Sequence, residues 1–259
     1  MYNKLYGVSG GIGCGKDEVT RILIEIASED NINFVNVKYA FELKRLVSFI
    51  LGVDVSILED RVFKNTPIPD MEITQIVYKS IRNSLDVKTI NTFSSIFEHD
   101  VIEVYMESGY EYSGIRTIEV TPRWLMQNIG TNCFREIISK DFWVWKTFKN
   151  FNETSNWVIS DVRYPKNEGL IINNNNGIII GVKRRFDLRY PEFSHLMDPL
   201  DPYKIPLSLK DENRDLYLEL TSDSELSTHD LSWCDEIIEN NSSLDDLKNK
   251  VKEIYVRYS

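Results

Sequence analysis

Leu5-Tyr6-Gly7-Val8-Ser9-Gly10-Gly11-Ile12-Gly13-Cys14-Gly15-Lys16-Asp17 is the stretch that decides the fold of this chain. Leu5–Ser9 predicts a short apolar strand, and Gly10 to Gly15 a glycine-rich loop. Val19, Ile22, Leu23, Ile26 and Ala27 then repeat at i, i+3, i+4, i+7 and i+8, one apolar face of a helix. Gly10 to Lys16 matches G-x-x-x-x-G-K, with Asp17 where Ser or Thr is usual. Glycines let successive backbone N–H groups turn toward phosphate oxygens, and the helix lends its positive end. Lys16 would reach the terminal phosphates as a point charge. Strand before and helix after make an incidental glycine turn the weaker reading. No G-x-G-x-x-G spacing occurs, which counts against a dinucleotide cofactor.

Outward from the loop, residues 34–39 read as a second strand, and Leu43, Leu46, Val47, Ile50 and Leu51 as a second amphipathic helix. Strand, helix, strand, helix predicts an α/β fold with a parallel sheet and crossover helices. Residues 157–160 and 178–182 read as buried strands, 165–172 as a short helix, and Glu236–Glu239 as a last strand. Ser243 and Asp246 open a final helix in capping-box fashion. The organisation expected is one phosphate-loop domain, 1–259. Its core spans 1–51 and 155–259, a mostly helical insertion covers 52–154, and a loop-rich, lid-like region covers 183–231. Within the insertion, helical patterning is weak at 73–85 and 92–106, then restarts where Thr121 fits the N-cap and Pro122 the first helical position.

The chain has 259 residues, 42% of them hydrophobic, enough for a substantial core. Its 30 Lys and Arg against 40 Asp and Glu give a net charge of −10, which argues against a protein devoted to nucleic-acid phosphates. Three cysteines without a C-x-x-C pair argue against a disulfide scaffold or structural zinc. With no apolar run of membrane-spanning length and no leader-like start, a cytoplasmic setting without membrane partners is the default.

Asp161 ends the 157–160 strand, where an open parallel sheet faces its ligand crevice, and Arg163 follows two residues on. Asp161 could equally cap a loop. Arg123 and Gln127 lie i, i+4 on one helical face, a guanidinium suited to phosphate and an amide suited to a base edge. The alternative is a solvated polar face. Lys183, Arg184, Arg185 and Arg189 could clamp transferring phosphates, or form a solvated basic loop. Trp143 and Trp145 read first as core, with base stacking as the alternative. The histidines His99, His195 and His229 share no close spacing, which argues against a catalytic or metal role.

These islands resemble the deoxynucleoside monophosphate kinases of tailed bacteriophages. The match runs in order through Ser9 to Asp17, Ala40-Phe41-Glu42-Leu43-Lys44, Pro122-Arg123-Trp124-Leu125-Met126-Gln127-Asn128-Ile129-Gly130-Thr131, Asp141-Phe142-Trp143-Val144, Asp161-Val162-Arg163-Tyr164-Pro165 with Glu168, and the tail from Ile237 to Leu244. The resemblance implies transfer of the ATP γ-phosphoryl group to a deoxynucleoside 5′-monophosphate, with Mg²⁺ as cofactor, in deoxynucleotide supply. If the chain is phage-encoded, its compartment would be the host cytoplasm. ATP would lie on Gly10, Gly11, Ile12, Gly13, Cys14, Gly15, Lys16, Asp17 and Glu18, with Asp17 toward the metal. The resemblance puts Leu43, Lys44, Arg61, Arg123, Gly130, Thr131, Trp143, Asp161, Arg163 and Glu168 at the monophosphate, with Gln127 on the same face as Arg123. Lys16, Asp161, Arg163, Arg184 and Arg185 are the candidates for catalysis. The family is usually dimeric, which makes a homodimer an expectation of the resemblance alone. The sequence departs from the family at Glu18, where a hydroxyl residue is usual, and before Ser224-Glu225, where a His is usual. Other readings are a different small-molecule phosphate-loop kinase or a guanine-nucleotide switch. For the switch, the Asn-Lys-x-Asp signature is missing.

Overall fold

The computed structural model describes residues 4–68, 120–149, 151 and 156–259. The weak helical patterns at 73–85 and 92–106, and His99, lie outside them. The chain divides into two compact units, one made of 1–39 with 147–259, the other of 40–146.

In the first unit β1 (Leu5–Ser9), β2 (Phe34–Val37), β3 (Asn156–Val162), β4 (Ile178–Lys183) and β5 (Glu236–Glu239) form an all-parallel sheet in the order β2-β3-β1-β4-β5. Every residue of β1 is buried, as an apolar run in the middle of a two-faced sheet must be. Its neighbours are distant in sequence: Leu5 is in register with Trp157, and Val8 with Ile180. Order reverses at β1, since the chain leaves toward β2 on one side and later crosses from β3 to β4 on the other. In such sheets the crevice beyond the carboxyl ends at the switch point takes the ligand. The loop after β1 and the turn after β3 both open there.

The first helix, α1 (Lys16–Glu29), buries Val19, Thr20, Ile22, Leu23 and Ala27. Its N-cap is Gly15, which has no side chain to cap the first turn. With glycine at the N-cap the lost side-chain cap costs only about a few tenths of a kcal/mol, far less than the roughly 1.5–3 kcal/mol gained from each buried Val, Ile or Leu. Packing therefore holds the helix while its first N–H groups are left for an anion. A C-terminal helix, Leu244–Arg257, is capped by the Ser243 hydroxyl and closes the same core through Leu247, Val251 and Tyr255.

The 183–231 stretch is more ordered than its prolines and charges predict. Short helices at Phe186–Arg189, Leu209–Glu212, Arg214–Leu220 and Asp223–Leu226 bury Phe186, Tyr190, Ile205, Leu209 and Leu220 together. Helices of four to seven residues are too short to display a repeating apolar face, so the sequence reads as loop.

The second unit begins at Ala40, earlier than the insertion boundary of 52 read from the sequence. The helix Ala40–Leu51 turns Val47 and Ile50 into a core with Leu58, Leu125, Ile129, Phe134 and Trp143, which is why it belongs here. Thr121 caps the helix Pro122–Gln127 by accepting from the Trp124 N–H, as the sequence predicts. The helix continues in wider, π-type turns over Asn128–Ile138. Among the described residues no helix is long and apolar enough to cross a membrane.

Candidate functional site

The loop from Gly10 to Gly15 bends through positive φ at Gly10, Gly13 and Gly15. Gly15 is needed twice over: its φ is 101°, and a Cβ there would lie 2.4 Å from Asn240 Nδ2. Asn240, just past β5, donates to the Cys14 carbonyl at 3.0 Å and so ties the loop to the far strand. The Lys16 ammonium donates to the carbonyls of Gly10 at 2.6 Å and Gly11 at 2.9 Å. Burial pushes the Cys14 thiol above its ordinary pKa, against the pull of the Lys16 and Arg189 charges.

Asp17 and Glu18 follow in the first turn of α1. Asp17 is largely exposed, with Lys38 3.5 Å away. Glu18 is drawn to Arg21, whose hydrogen bonds hold its carboxyl below the usual range. Among the described residues no three His, Cys, Asp or Glu side chains converge as a metal cage. Magnesium bound with a nucleotide takes only one or two carboxylates plus phosphate oxygens. The hard, exposed oxygens of Asp17 fit that mode.

At the end of β3, Asp161 Oδ1 accepts from the Tyr39 N–H at 2.8 Å. Glu168 is buried, and its Oε2 accepts from the main-chain N–H groups of Arg163 (2.7 Å) and Tyr164 (3.2 Å). It thus fixes the turn that presents Arg163. The Arg163 guanidinium reaches Glu225, with Nη1 2.5 Å from Oε1. The other oxygen of Glu225 accepts from the Ile12 N–H, in the phosphate loop, at 2.9 Å.

The basic run after β4 divides. Arg185 is committed to Asp187, with contacts of 3.0 and 3.1 Å. Arg184 Nε and Arg189 Nε are buried and meet no hydrogen-bond acceptor among the described residues. Arg189 lies along the loop: its Nη2 is 3.3 Å from where a Cβ on Gly11 would be. His229 stands near both Arg189 and Glu225; burial first, and Arg189 second, hold its imidazole below the ordinary pKa. The structure therefore brings Lys16, Arg163, Arg189 and Glu225 to one loop.

The remaining candidates lie in the second unit. Arg123 and Gln127 do share a helix, and Arg123 Nε donates to Asn65 Oδ1 at 2.8 Å, while Gln127 is exposed. Lys44 pairs with Glu59 at 2.6 Å. Leu43 packs directly over Gly130, where a Cβ would come within 2.6 Å of Leu43 Cδ2. Thr131 follows, half-buried. Trp143 is 4% exposed, donates Nε1–H to the Gly130 carbonyl at 2.9 Å and packs on Phe134 and Phe142. It is a core residue of this unit, whereas Trp145 is 63% exposed. Arg61 opens the helix Arg61–Asn65; its side chain lies outside what is described.

Sequence reasoning did not single out Glu225 as a loop ligand, nor Asn240 as a loop tie, and it set His229 aside. Each acts on residues more than two hundred positions away or through a packed neighbour, which local spacing does not record.

No family model matches the chain. A deoxynucleoside-5′-monophosphate kinase of Escherichia phage T5 is 26% identical over 183 residues, covering 66% of this chain and 72% of its own. Dephospho-CoA kinase from Campylobacter jejuni aligns over 99% of this chain and 98% of its own at 14% identity with a TM-score of 0.36, too loose a superposition to bear on function. The phosphate loop at the end of β1, the parallel sheet around it and the phage relative together support a P-loop kinase, an ATP-dependent transferase acting on small molecules.

Proposed function

We propose that this protein transfers the γ-phosphoryl group of ATP to a deoxynucleoside 5′-monophosphate. The likeness to the phage kinase across 183 residues carries the choice of acceptor. The phosphate loop carries the choice of donor. Phosphoryl transfer needs little covalent chemistry from the protein and depends on positioning and charge neutralisation. In this reading the N–H groups of the loop and of the first turn of α1 hold the ATP phosphates. Lys16 leaves the Gly10 and Gly11 carbonyls to meet the β- and γ-oxygens. Arg163, Arg184 and Arg189 add positive charge where the transferring group passes, and Arg185 supports them from its pair with Asp187. Asp17 would hold Mg²⁺ with the phosphates, and the ion would neutralise charge on their oxygens. Lys44, Arg61, Arg123, Gln127 and Thr131 are assigned to acceptor recognition in the second unit, with Leu43, Gly130 and Trp143 shaping it. Glu168 serves by holding the turn that carries Arg163, and Asp161 by holding the chain at Tyr39.

One observation favours a different acceptor class, a phosphorylated alcohol. Trp143, the aromatic candidate for a base, is packed into a core. The deciding experiment is a coupled assay with Mg-ATP over ribo- and deoxynucleoside monophosphates, with phosphorylated alcohols as the contrasting set. Diphosphate formed from one or more deoxynucleoside monophosphates is the expected result. ATP binding without any such product defeats the proposal.

A further inference from the structure

We propose that Glu225 is a positioning residue that fixes the Arg163 guanidinium at the β/γ end of the phosphate loop, an inference that rests on the kinase reading above. The carboxylate is 3% exposed, and both oxygens are engaged by N–H donors: Oε2 by Ile12 of the loop and Oε1 by Arg163. Groups so engaged make poor general bases and poor metal ligands, because the lone pairs are already directed at protons. What the geometry does achieve is alignment. Arg163 is held at its main chain by Glu168 and at the end of its side chain by Glu225, so neither end is free to swing.

The place along the loop follows from Lys16. Its ammonium lies on the carbonyls of Gly10 and Gly11, immediately before Ile12. In this motif the lysine serves the β- and γ-phosphates, so the Ile12–Glu225 contact marks that end. A lone carboxylate buried there would repel a nucleotide. Arg163 matches its charge, and Arg189 beside Gly11 leaves the cluster net positive. His229, close to both Glu225 and Arg189, and the buried Cys14 thiol are further titratable groups near the carboxylate. Glu225 thus spends its charge on an arginine while the loop keeps its attraction for phosphate.

The test is Glu225→Gln, which keeps the volume and an acceptor for the Ile12 N–H but loses the charge that holds Arg163. Turnover should fall about 10- to 100-fold, the range seen when a partner that orients a metal ligand is removed. The preference for binding ATP over ADP, measured by calorimetry without turnover, should shrink several-fold. In an Arg163→Ala background the same substitution should cause no further loss of turnover, because Glu225 acts through that side chain, and ATP binding should if anything recover as the now unpaired carboxylate is neutralised. Glu225→Asp retains the charge but is one methylene too short to reach both donors, and should show the same loss in weaker form. It decides the matter if the glutamine variant does not fold. Unchanged turnover and unchanged ATP preference in a folded variant would overturn the proposal. So would tighter ATP binding, which would make the carboxylate a competitor of phosphate. If the wild-type protein phosphorylates no monophosphate, the kinase reading of the acceptor fails, and the ATP-to-ADP ratio still judges Glu225.

Discussion

In the sheet unit, the charged groups beside the phosphate loop are held from behind by buried carboxylates, Glu168 on the main chain of Arg163 and Glu225 on its side chain. In the helical unit the polar candidates around an aromatic core pair with exposed or half-exposed partners rather than buried ones. Arg123 leans on Asn65, Lys44 on a half-exposed Glu59, and Gln127 faces solvent. The two arrangements differ in what they resist. Buried, fully paired networks are rigid and expensive to break. Exposed pairs contribute roughly 0–1 kcal/mol and re-form readily. Charge that must be in place when a phosphoryl group moves suits the first; side chains that must trade one partner for an incoming phosphate suit the second.

The largest expected effect tests whether the helical unit can be damaged alone. Trp143→Ala removes the indole from among Phe134 and Phe142 and takes the Nε1–H donor from the Gly130 carbonyl. A loss of about 3–5 kcal/mol in that unit is expected. Urea denaturation should show it, while calorimetric ATP affinity in the absence of urea stays within a few-fold of wild type. Loss of both together would break the division drawn above.

Next comes the loop. Lys16→Ala removes the one ammonium that the Gly10 and Gly11 carbonyls hold ready, and kcat should drop roughly 10²-fold or more, as for other electrostatic stabilisers. Near-normal turnover in a folded variant would contradict the role. Arg123→Ala should weaken acceptor binding by about 10- to 100-fold, the worth of a charge-assisted hydrogen bond. Its exposed contact to Asn65 predicts almost no change in melting temperature. Weakened ATP binding with normal acceptor binding would reassign this helix.

The smallest effect sharpens the picture of the buried network. Burial and Arg189 hold His229 below its ordinary value of 6.5, so the unfolded chain takes up a proton that the folded chain refuses. That difference is nil well above pH 6.5. Stability is then lost as pH falls from the ordinary value toward the lowered folded one. Thermal melts between about pH 7.5 and 5.5 should show a decline that His229→Asn flattens. An identical decline in the variant assigns it to carboxylates instead.

The strand, loop and helix around Gly10 to Lys16 were legible because each rests on near neighbours: an apolar run, glycines, a repeating face. The place of Asp161 and Arg163 at the end of β3 was legible because an apolar run leads into them. What the sequence hid is of another kind. Glu225 meets Ile12 across 213 positions and Asn240 meets Cys14 across 226, and no periodicity reports a contact closed by the whole fold. The helix Ala40–Leu51 reads correctly as amphipathic, yet an apolar face does not say which core it joins. Trp143 shows the converse, since a tryptophan read as a candidate for stacking on a base is packed in a core.

The register of β1 has a consequence for the birth of the molecule. Its five residues are translated long before their partners, which begin at Trp157 on one side and Ile178 on the other. At about 5–20 residues per second, the first strand waits roughly 8–30 seconds for a neighbour to be synthesised. The 40–146 unit, continuous in sequence, is fully translated in the interval. The nascent chain therefore carries a bare apolar strand through much of its synthesis, with a phosphate loop that has no shape yet. ATP cannot act as a template for folding until β3 has emerged, so nucleotide can reward the finished sheet but cannot hasten its first half.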